Sequence, residues 1–371
     1  MKIGILLLIF LLVLLFVLFF KCNTTENFTE LKNMCDPPLV LKEVLDNKKL
    51  SYNGNISNKD DDYYIPCTYD TCEADMKRIA NSDLNKNKKL FLIEGCDVLA
   101  SKLDLWRKLK KKFGDNADKY MPRTFLLEED KGFEEHFNNN KNKRKDQMYV
   151  LKNYKQRQEG IKLTRDLKEI QEGVDNGWYL VQDYVYDPYI IANRKINFRY
   201  YLLIVCQNNK MDAYVFDDGF VYYTPEFYDD KSDKFDKHIT TGYVDRKIYD
   251  ENPLTLQDFR KYLEEKEDGL SQVWDNSALT LLTNVMKALD GEICNNPKLK
   301  PYLRFQLFGC DLAPNKNLGA KLMEINKGPD INPKDKRDGK VKTKLQEDIL
   351  YIIEQKTHEG TNFEKIYEKK Y

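Results

Sequence analysis

The stretch KINFRYYLLIVC, residues 195–206, decides how this chain is organised. Its second half is an uninterrupted apolar run, which is typical of a strand buried on both faces in the centre of a sheet. In its first half Lys195, Asn197 and Arg199 share one face, because successive side chains point to opposite sides of a strand. Cations on a central strand are costly unless anions meet them. The stretch therefore predicts a central strand with an anion-binding end, or one whose cations pair with acids elsewhere in the fold.

A second polar pattern lies near the C-terminus. A strand at 304–312 and the strand KLMEIN at 321–326 are separated by a short turn, which makes them antiparallel neighbours. Glu324 and Asn326 then share a face, and Asp311 lies on the preceding strand. Carboxylate and amide oxygens suit Mg²⁺ completed by water and phosphate. Because facing carboxylates repel each other without a cation, the pattern favours a metal site over an ordinary polar hairpin.

The segment QMYVLKN, residues 147–153, predicts a strand that ends on Lys152. A polar loop with Gly160 and a helical segment to Gln171 follow it. A lysine at a strand end can reach the α- and β-phosphates of a nucleotide while such a loop closes over them. Loops after strands often contain Lys and Gly, so an ordinary loop remains the alternative.

WYLVQDYV, residues 178–185, predicts another strand. Gln182, with the backbone from Asp183 to Tyr184, could face an adenine ring, and the same run also suits a plain buried strand. Residues 211–223, MDAYVF-DDG-FVYY, predict a hairpin with its turn at the Asp-Asp-Gly sequence.

The remaining periodicity predicts a mixed α/β fold. Further strands are predicted at 91–95 and 123–127, and further helices at 98–113, 128–140, 255–265, 271–290 and 340–356.

Length and charge limit the classes of function. The 371 residues suit one multi-lobed globular unit, and Lys plus Arg equal Asp plus Glu at 60 each. A net charge of zero gives no support for nucleic-acid binding through a broad basic surface. The heavy use of Lys, Asn, Asp and Tyr is of the kind that AT-rich genomes of protists or large DNA viruses produce.

The N-terminus predicts a membrane anchor. Residues 3–20 carry no charge and are long enough to cross a bilayer as a helix. The length of the run and the lack of small residues after it favour an uncleaved single-pass anchor over 1–22 rather than a signal peptide. The charges that flank the run do not decide its orientation. Residues 23–62 read as a polar tether.

The cysteines and sequons give a further set of expectations. With no CxxC pair among the eight cysteines, a zinc site is not expected. Cys206 and Cys310 lie in apolar runs and are predicted to be buried thiols. An exported N-terminal region could carry disulfides and glycans. The residues concerned are Cys22, Cys35, Cys67, Cys72 and Cys96 and the sequons at Asn23, Asn27 and Asn55.

In this order the segments resemble the tubulin–tyrosine ligase-like family of ATP-grasp ligases, over about residues 90–355. The matching segments are VLKN (150–153) with RQEGI (157–161), VQDYV (181–185), KINFRYYLLIV (195–205), HIT (238–240), FGCDL (308–312) and LMEINKGP (322–329). SKLDLWRKL (101–109) and YMPRTFLL (120–127) resemble its N-terminal lobe. The order of the segments is more specific than any one of them.

The resemblance implies an ATP-grasp fold of three lobes. The implied divisions are an N-terminal lobe at 63–125, a central lobe at 126–185 and a C-terminal lobe with the Mg²⁺ site at 186–371, preceded by the transmembrane helix. The resemblance also implies that ATP phosphorylates a carboxylate and that an amine attacks the acyl phosphate. The expected partners are ATP, Mg²⁺, a protein carboxylate acceptor such as tubulin, and a free amino acid, Glu, Gly or Tyr.

The resemblance assigns site residues by position. Catalysis falls to Lys195, Asn197 and Arg199; nucleotide binding to Lys152, Gly160, Ile161, Gln182, Asp183, Tyr184, Lys195 and His238; and metal binding to Asp311, Glu324 and Asn326. His238 could be catalytic or only structural. Because the reaction needs ATP, the body of the protein is expected on the cytosolic side of the membrane.

Two positions depart from the family's pattern. Asn197 stands where the family has Asp, and Thr241 where it has Asn. An active ligase is favoured because the metal ligands and both cations are kept. The alternatives are a membrane-tethered, catalytically impaired binding module and a small-molecule carboxylate–amine ligase.

Overall fold

A computed structural model describes residues 37–54, 61–144, 146–153 and 160–371. Its helices are α1 (Leu39–Asn47), α2 (Cys72–Ala80), α3 (Cys96–Ala100), α4 (Lys102–Phe113), α5 (Phe133–Lys143), α6 (Leu167–Gln171), α7 (Leu256–Glu264), α8 (Leu270–Ala288) and α9 (Lys336–Gln355). Its strands are β1 (Tyr52–Asn53), β2 (Tyr63–Tyr64), β3 (Lys89–Leu90), β4 (Thr124–Leu126), β5 (Tyr149–Lys152), β6 (Ile161–Thr164), β7 (Leu180–Asp183), β8 (Ile190–Ile191), β9 (Arg194–Gln207), β10 (Lys210–Phe216), β11 (Phe220–Tyr223), β12 (Arg304–Pro314), β13 (Ala320–Asn326) and β14 (Phe363–Lys370).

The described strands form two sheets. The larger follows the order β1-β2-β3-β12-β9-β10-β14, with β8 and β11 paired to β9 and β13 paired to β12. The smaller has the order β4-β7-β5-β6. Helices and sheets together confirm the predicted mixed α/β class.

Strand β9 is the centre of the larger sheet, as its sequence predicts. It runs antiparallel to β12 from Phe198 to Cys206 and antiparallel to β10 and β11 on its other edge. Tyr201, Leu202 and Leu203 are fully buried. Because neighbours satisfy the backbone of β9 on both edges, its polar end is held in a fixed position.

The prediction of a hairpin at 211–223 is wrong. Strands β10 and β11 do not pair with each other, and both lie along β9 instead. Gly219, between them, explains the arrangement, because a Cβ atom there would stand 2.1 Å from the carbonyl oxygen of Arg199. Only glycine lets the chain approach β9 so closely.

Helices α7 and α8 cover the reverse face of β9. The ring of Trp274 lies 4.5 Å from that of Phe198, and Phe259 packs on the same ring at 4.6 Å. All three side chains are fully buried. Because Phe198 is turned toward these helices, Asn197 and Arg199 must face the opposite way.

The tether predicted over residues 23–62 is corrected in its described part. Helix α1 buries Val40, Leu41, Val44 and Leu45 and packs against α9. These apolar residues have helical spacing, which the polar composition of the surrounding segment concealed.

Three other local expectations need adjustment. The helix expected at 98–113 is divided at Ser101, whose hydroxyl accepts a hydrogen bond from the amide of Asp104 and caps α4. The segment expected to be loop and helix before Gln171 contains β6, which pairs with β5. Strand β14, which no pattern predicted, pairs with β10.

The predicted membrane localisation is also corrected. Within the described part of the chain, no helix is long and apolar enough to cross a bilayer. The longest, α8 and α9, have 19 and 20 residues, but each has polar residues along its length and a buried stripe that packs on the protein. The anchor predicted over 1–22 lies outside the described residues.

The cysteines differ in part from expectation. Cys206 is not a free thiol, because it forms a disulfide with Cys294, 88 residues away in the sequence. The loop after α8 brings Cys294 to the end of β9, a contact that no local pattern reveals. Cys310 is a buried free thiol, as predicted. Cys22, Cys35 and the three sequons lie outside the described residues.

Replacement of Trp274 by Ala tests the packing that supports β9. We expect a loss of about 3–5 kcal/mol in the free energy of unfolding, because the change leaves a cavity in the core. Val273→Ala is the matched control, since Val273 is 49% exposed and should cost no more than about 0.5 kcal/mol. Denaturant unfolding measures both, and equal effects would refute the role assigned to Trp274.

Candidate functional site

A cavity of about 810 Å³ lies between the two sheets. The smaller sheet contributes Val150, Lys152 and Ile161 to its lining, and the larger contributes residues of β9, β12 and β13. Concave sites of this size are the usual location for small-molecule ligands. The cavity is therefore the candidate functional site.

Strand β9 presents its polar end to this cavity. Lys195, Asn197 and Arg199 all line it, as their alternate spacing predicts. The first half of β9 thus supplies three polar side chains from a rigid element.

The predicted metal ligands lie together. Asp311 and Glu324 are register partners on the antiparallel strands β12 and β13. Asn326 Nδ2 donates to Glu324 Oε1 at 3.3 Å, and all three side chains line the cavity. Two carboxylates and an amide at one wall form a donor set that fits a hard divalent cation such as Mg²⁺.

Asp311 is shared between this group and Arg199. Arg199 Nε donates to Asp311 Oδ1 at 2.6 Å and Nη2 to Oδ2 at 3.2 Å. Burial raises the pKa of Asp311 to about 6, and Arg199 opposes the rise while Glu324 adds to it. The pKa of Arg199 stands well above its usual value despite burial, because Asp311 stabilises the charge. The pair is a charge-assisted, bidentate contact.

The pKa of Glu324 shifts in the opposite direction to that of Asp311. Burial alone would raise its pKa, but the cations Lys102, Lys152 and Arg199 hold the pKa below its ordinary value. Glu324 is therefore ionised at neutral pH.

Lys102 is a cavity residue that was not identified from the sequence. Its Nζ lies 3.4 Å from Glu324 Oε2, and it lines the cavity. Lys102 is the first residue of α4, where a positive charge opposes the helix dipole. That unfavourable position is the signal that could have identified Lys102 as functional.

Gly309 allows Arg199 to reach Asp311. A Cβ atom at Gly309 would stand 3.0 Å from Arg199 Cδ and 2.9 Å from Pro329 Cβ. The glycine of the FGCD sequence therefore leaves room for the arginine side chain, which passes over the backbone of β12.

Lys152 is held by an amide network. Its Nζ donates to Gln182 Oε1 at 2.7 Å, and Gln182 Nε2 donates to Thr124 Oγ1 at 2.8 Å. Burial lowers the pKa of Lys152 to about 8. Gln182 is not part of the cavity lining, so its side chain orients Lys152 rather than forming the adenine edge that the sequence suggested.

Lys195 belongs to a second network. Its Nζ lies 3.5 Å from the hydroxyl of Tyr184 and 4.5 Å from the centre of that ring. The Tyr184 hydroxyl is 2.9 Å from His238 Nδ1, and His238 Nε2 is 2.8 Å from the carbonyl oxygen of Ser232. Burial lowers the pKa of Lys195 to about 7, and Lys152 adds to the effect.

The tautomer of His238 follows from its partners. A carbonyl oxygen only accepts, so Nε2 carries the proton and Nδ1 accepts from the Tyr184 hydroxyl. Burial lowers the pKa of His238, which favours this neutral form. His238 itself lines the cavity, and its ring contacts the hydroxyl of Tyr184, which in turn lies beside Lys195.

The other residues predicted to bind the nucleotide differ in whether they line the cavity. Ile161 and Asp183 line the cavity, whereas Gly160 does not. The Asp183 carboxylate pairs with His136 Nε2 at 2.8 Å. Thr241 forms a backbone bridge with Tyr223 and is not in the lining, although its neighbour Thr240 is.

The arrangement suits a polyphosphate with a divalent cation. Lys102, Lys152, Lys195 and Arg199 surround one wall of oxygen ligands. Cations of this kind, held in place before a ligand arrives, stabilise charge that moves between phosphate oxygens.

Comparison with known proteins bears on this site. A family described as "Tubulin-tyrosine ligase family" matches residues 80–361. A probable tubulin polyglutamylase of Rattus norvegicus is 28% identical over 203 residues, 52% of this chain and 42% of that protein. The tubulin glycylase 3B of Drosophila melanogaster is 22% identical over 305 residues, 77% of this chain and 38% of that protein.

A third relative is named as inactive. It is the "inactive polyglycylase" of Homo sapiens, 27% identical over 165 residues, 41% of this chain and 24% of that protein. The chain spans about two fifths of the length of the first two relatives. The family match covers most of the chain and includes every residue that lines the cavity from the two sheets. This chain belongs to the tubulin-tyrosine ligase family.

Proposed function

We propose that the protein is an ATP-dependent carboxylate–amine ligase that adds an amino acid to a protein acceptor. The observation that carries the proposal is the convergence of Asp311, Glu324 and Asn326 with buried cations in one cavity. Such a site would bind a nucleotide and a carboxylate, and this class of reaction needs no nucleophilic side chain.

Lys152 and Lys195 would hold the phosphates of ATP. Both are nearly fully buried, and each is oriented by a neighbouring polar side chain, Gln182 or Tyr184. Preoriented cations lose little freedom when the ligand binds. The backbone from Asp183 to Tyr184 lies beside them at the cavity wall and would meet the adenine.

Asp311, Glu324 and Asn326 would hold Mg²⁺. Burial, with a smaller contribution from Glu324, raises the pKa of Asp311, and a bound cation would favour its ionised form. When bound, Mg²⁺ neutralises charge on the transferring phosphoryl group and orients it.

The reaction has two displacements. An oxygen of the acceptor carboxylate attacks the γ-phosphorus of ATP, and ADP leaves. The amine then attacks the acyl carbon, and phosphate leaves. Arg199, fixed by its two bonds to Asp311, would stabilise negative charge on the phosphoryl or carboxylate oxygens. Burial of the site limits hydrolysis of the acyl phosphate.

Tubulin is the first acceptor to test, with Glu or Gly as the first amino acids. The relatives that the chain resembles are a tubulin polyglutamylase and a tubulin glycylase. Tyr is the third candidate, because the family's description names a tyrosine ligase.

A catalytically impaired binding module is the second candidate function. Asn197 carries no charge where the family pattern has a carboxylate, and a relative is named an inactive polyglycylase. Such a protein would bind ATP in the same cavity without transferring an amino acid.

Intact-protein mass spectrometry separates the two functions. Purified protein is incubated with ATP, Mg²⁺, tubulin and Glu, Gly or Tyr. We expect tubulin to gain the mass of one amino-acid residue or a multiple of it, which also identifies the residue. ATP binding without any mass gain on tubulin or on lysate proteins would favour the binding module.

Glu324→Gln tests the metal site. We expect turnover to fall by at least about 100-fold, because the change removes a metal ligand that is ionised at neutral pH. Glu347→Gln makes the same change at an exposed position of α9 and should leave turnover unchanged. Equal turnover in the two variants, measured over a range of Mg²⁺ concentrations, would refute the assignment.

The lowered pKa of Lys195 predicts pH-dependent ATP binding. Without ligand, Lys195 loses its proton above about pH 7, while a bound polyanion favours the charged form. Binding therefore takes up a proton, and the ATP affinity should fall by up to about tenfold per unit between pH 7 and 9.

Lys195→Arg is the control, because arginine stays charged over this range and should reduce the slope to the part that Lys152, with its pKa of about 8, contributes. Calorimetry in buffers of different ionisation enthalpy measures the proton uptake directly. A wild-type affinity that is constant from pH 7 to 9 would contradict the prediction.

A further inference from the structure

Two helices in the first hundred residues begin with a cysteine followed by an acid. Helix α2 begins with Cys72 and Glu73, and α3 begins with Cys96 and Asp97. Folding brings the two beginnings together, because the Cys96 sulfur and carboxylate oxygens of Glu73 and Asp97 all lie within 4.8 Å of one another. The four residues are separate from the lining of the cavity between the two sheets. They form a second cluster of groups that can bind a metal.

Cys72 supplies a second sulfur to this cluster. Its thiol is in hydrogen-bonding contact with that of Cys96, and this contact together with burial raises the pKa of the Cys96 thiol. Cys96 Sγ also donates to Glu73 Oε1 at 3.8 Å. Both cysteines are fully buried free thiols. Two sulfurs and two carboxylates therefore meet where the two helices begin.

The negative charge of the cluster is only partly balanced. Lys327 Nζ pairs with Asp97 Oδ1, whereas Glu73 forms no ion pair within the described part of the chain. Carboxylates this close repel each other unless a cation lies between them. A free cysteine that only fills space behaves as a small apolar residue and suits apolar neighbours rather than two acids. The arrangement favours a bound cation over two ordinary core cysteines.

The donor atoms select the kind of cation. Thiolate sulfur is a soft ligand that suits Zn²⁺ and not Mg²⁺, and four-coordinate zinc accepts carboxylate oxygen beside it. We propose that one Zn²⁺ ion is bound here by four residues, Cys72, Glu73, Cys96 and Asp97. The expectation that the chain has no zinc site rested on the lack of a CxxC pair, and these ligands are brought together by folding instead.

The ion would fix one wall of the cavity. Tyr69 lies just before α2, and its ring packs on Gly328, where a Cβ atom would stand 2.4 Å from Cδ2 of the ring. Lys327, which pairs with Asp97, lines the cavity together with Tyr69 and Gly328. Zinc at the beginning of both helices would hold the segment after Asn326 in place. Its role is structural, because protein groups fill all four ligand positions.

Metal binding to the full chain tests this site independently of ligase activity. The protein is purified without added zinc, its thiols are kept reduced with a phosphine, and excess Mg²⁺ occupies the other proposed site. Zn²⁺ is titrated in competition with a chromophoric chelator, and Co²⁺ then replaces it as a spectroscopic probe. We expect one zinc per chain, a thiolate-to-cobalt charge-transfer band, and a higher melting temperature when zinc is bound.

Cys96→Ala should raise the Kd for zinc at least about 100-fold and abolish the cobalt band, because the variant loses a buried sulfur ligand. Cys310→Ala is the matched control, since it removes a different buried free thiol and should change neither result. Glu73→Gln should raise the Kd about tenfold or more, because the amide carries no charge, and Glu347→Gln at an exposed position should not. Glu73 is only partly buried, so its variant serves the test if Cys96→Ala does not fold.

Equal zinc affinity in wild type and Cys96→Ala overturns the inference. The zinc would then be bound elsewhere, at the Mg²⁺ site or at Cys206 and Cys294 if their disulfide is reduced, because the variant keeps both. A reduced protein that binds no zinc overturns it too. In that case a Cys72–Cys96 disulfide in the peptide map of the unreduced protein would identify the pair as a crosslink between α2 and α3.

Discussion

Charge buried beside the central strand β9 is the constraint on which the rest of the structure depends. Arg199 and Asp311 lie opposite each other on adjacent strands, and Asp311 lies opposite Glu324 on the next strand. An unpaired ion in this position would be strongly unfavourable. The register of β9, β12 and β13 therefore cannot slip by one residue without separating these charges. One alignment fixes both the ion pair and the predicted metal ligands.

The alternation of side chains along β9 keeps these charged groups apart from the apolar core. Phe198 is packed under Trp274 on one side of the sheet, while Lys195, Asn197 and Arg199 line the cavity on the other. The glycines follow from the same geometry. Gly219 lets β11 approach β9, and Gly309 leaves room for the Arg199 side chain. A side chain at either position would collide with neighbouring atoms of β9 or Arg199.

The electrostatics of the cavity suit the proposed binding of a polyanion with a divalent cation. Burial lowers the pKa values of Lys152 and Lys195, while Asp311 and Glu324 shift in opposite directions according to the cations each one meets. On the proposed function, ligands that pair with these buried charges would offset the cost of burying them. Such a site is more costly to the empty protein than an apolar core would be.

Much of this was determined by the sequence itself. Period-two alternation is a local property, so the central strand, the polar face of β9 and the β12–β13 pair could be predicted from residue spacing, and the order of motifs indicated the family. Tertiary structure alone decided which distant groups meet. Lys102 reaches Glu324 from a helix, Gln182 turns to Lys152, Cys294 joins Cys206, and α1 packs on α9. These contacts join residues tens to hundreds of positions apart, and their free energy depends on burial and on partners that no local window contains.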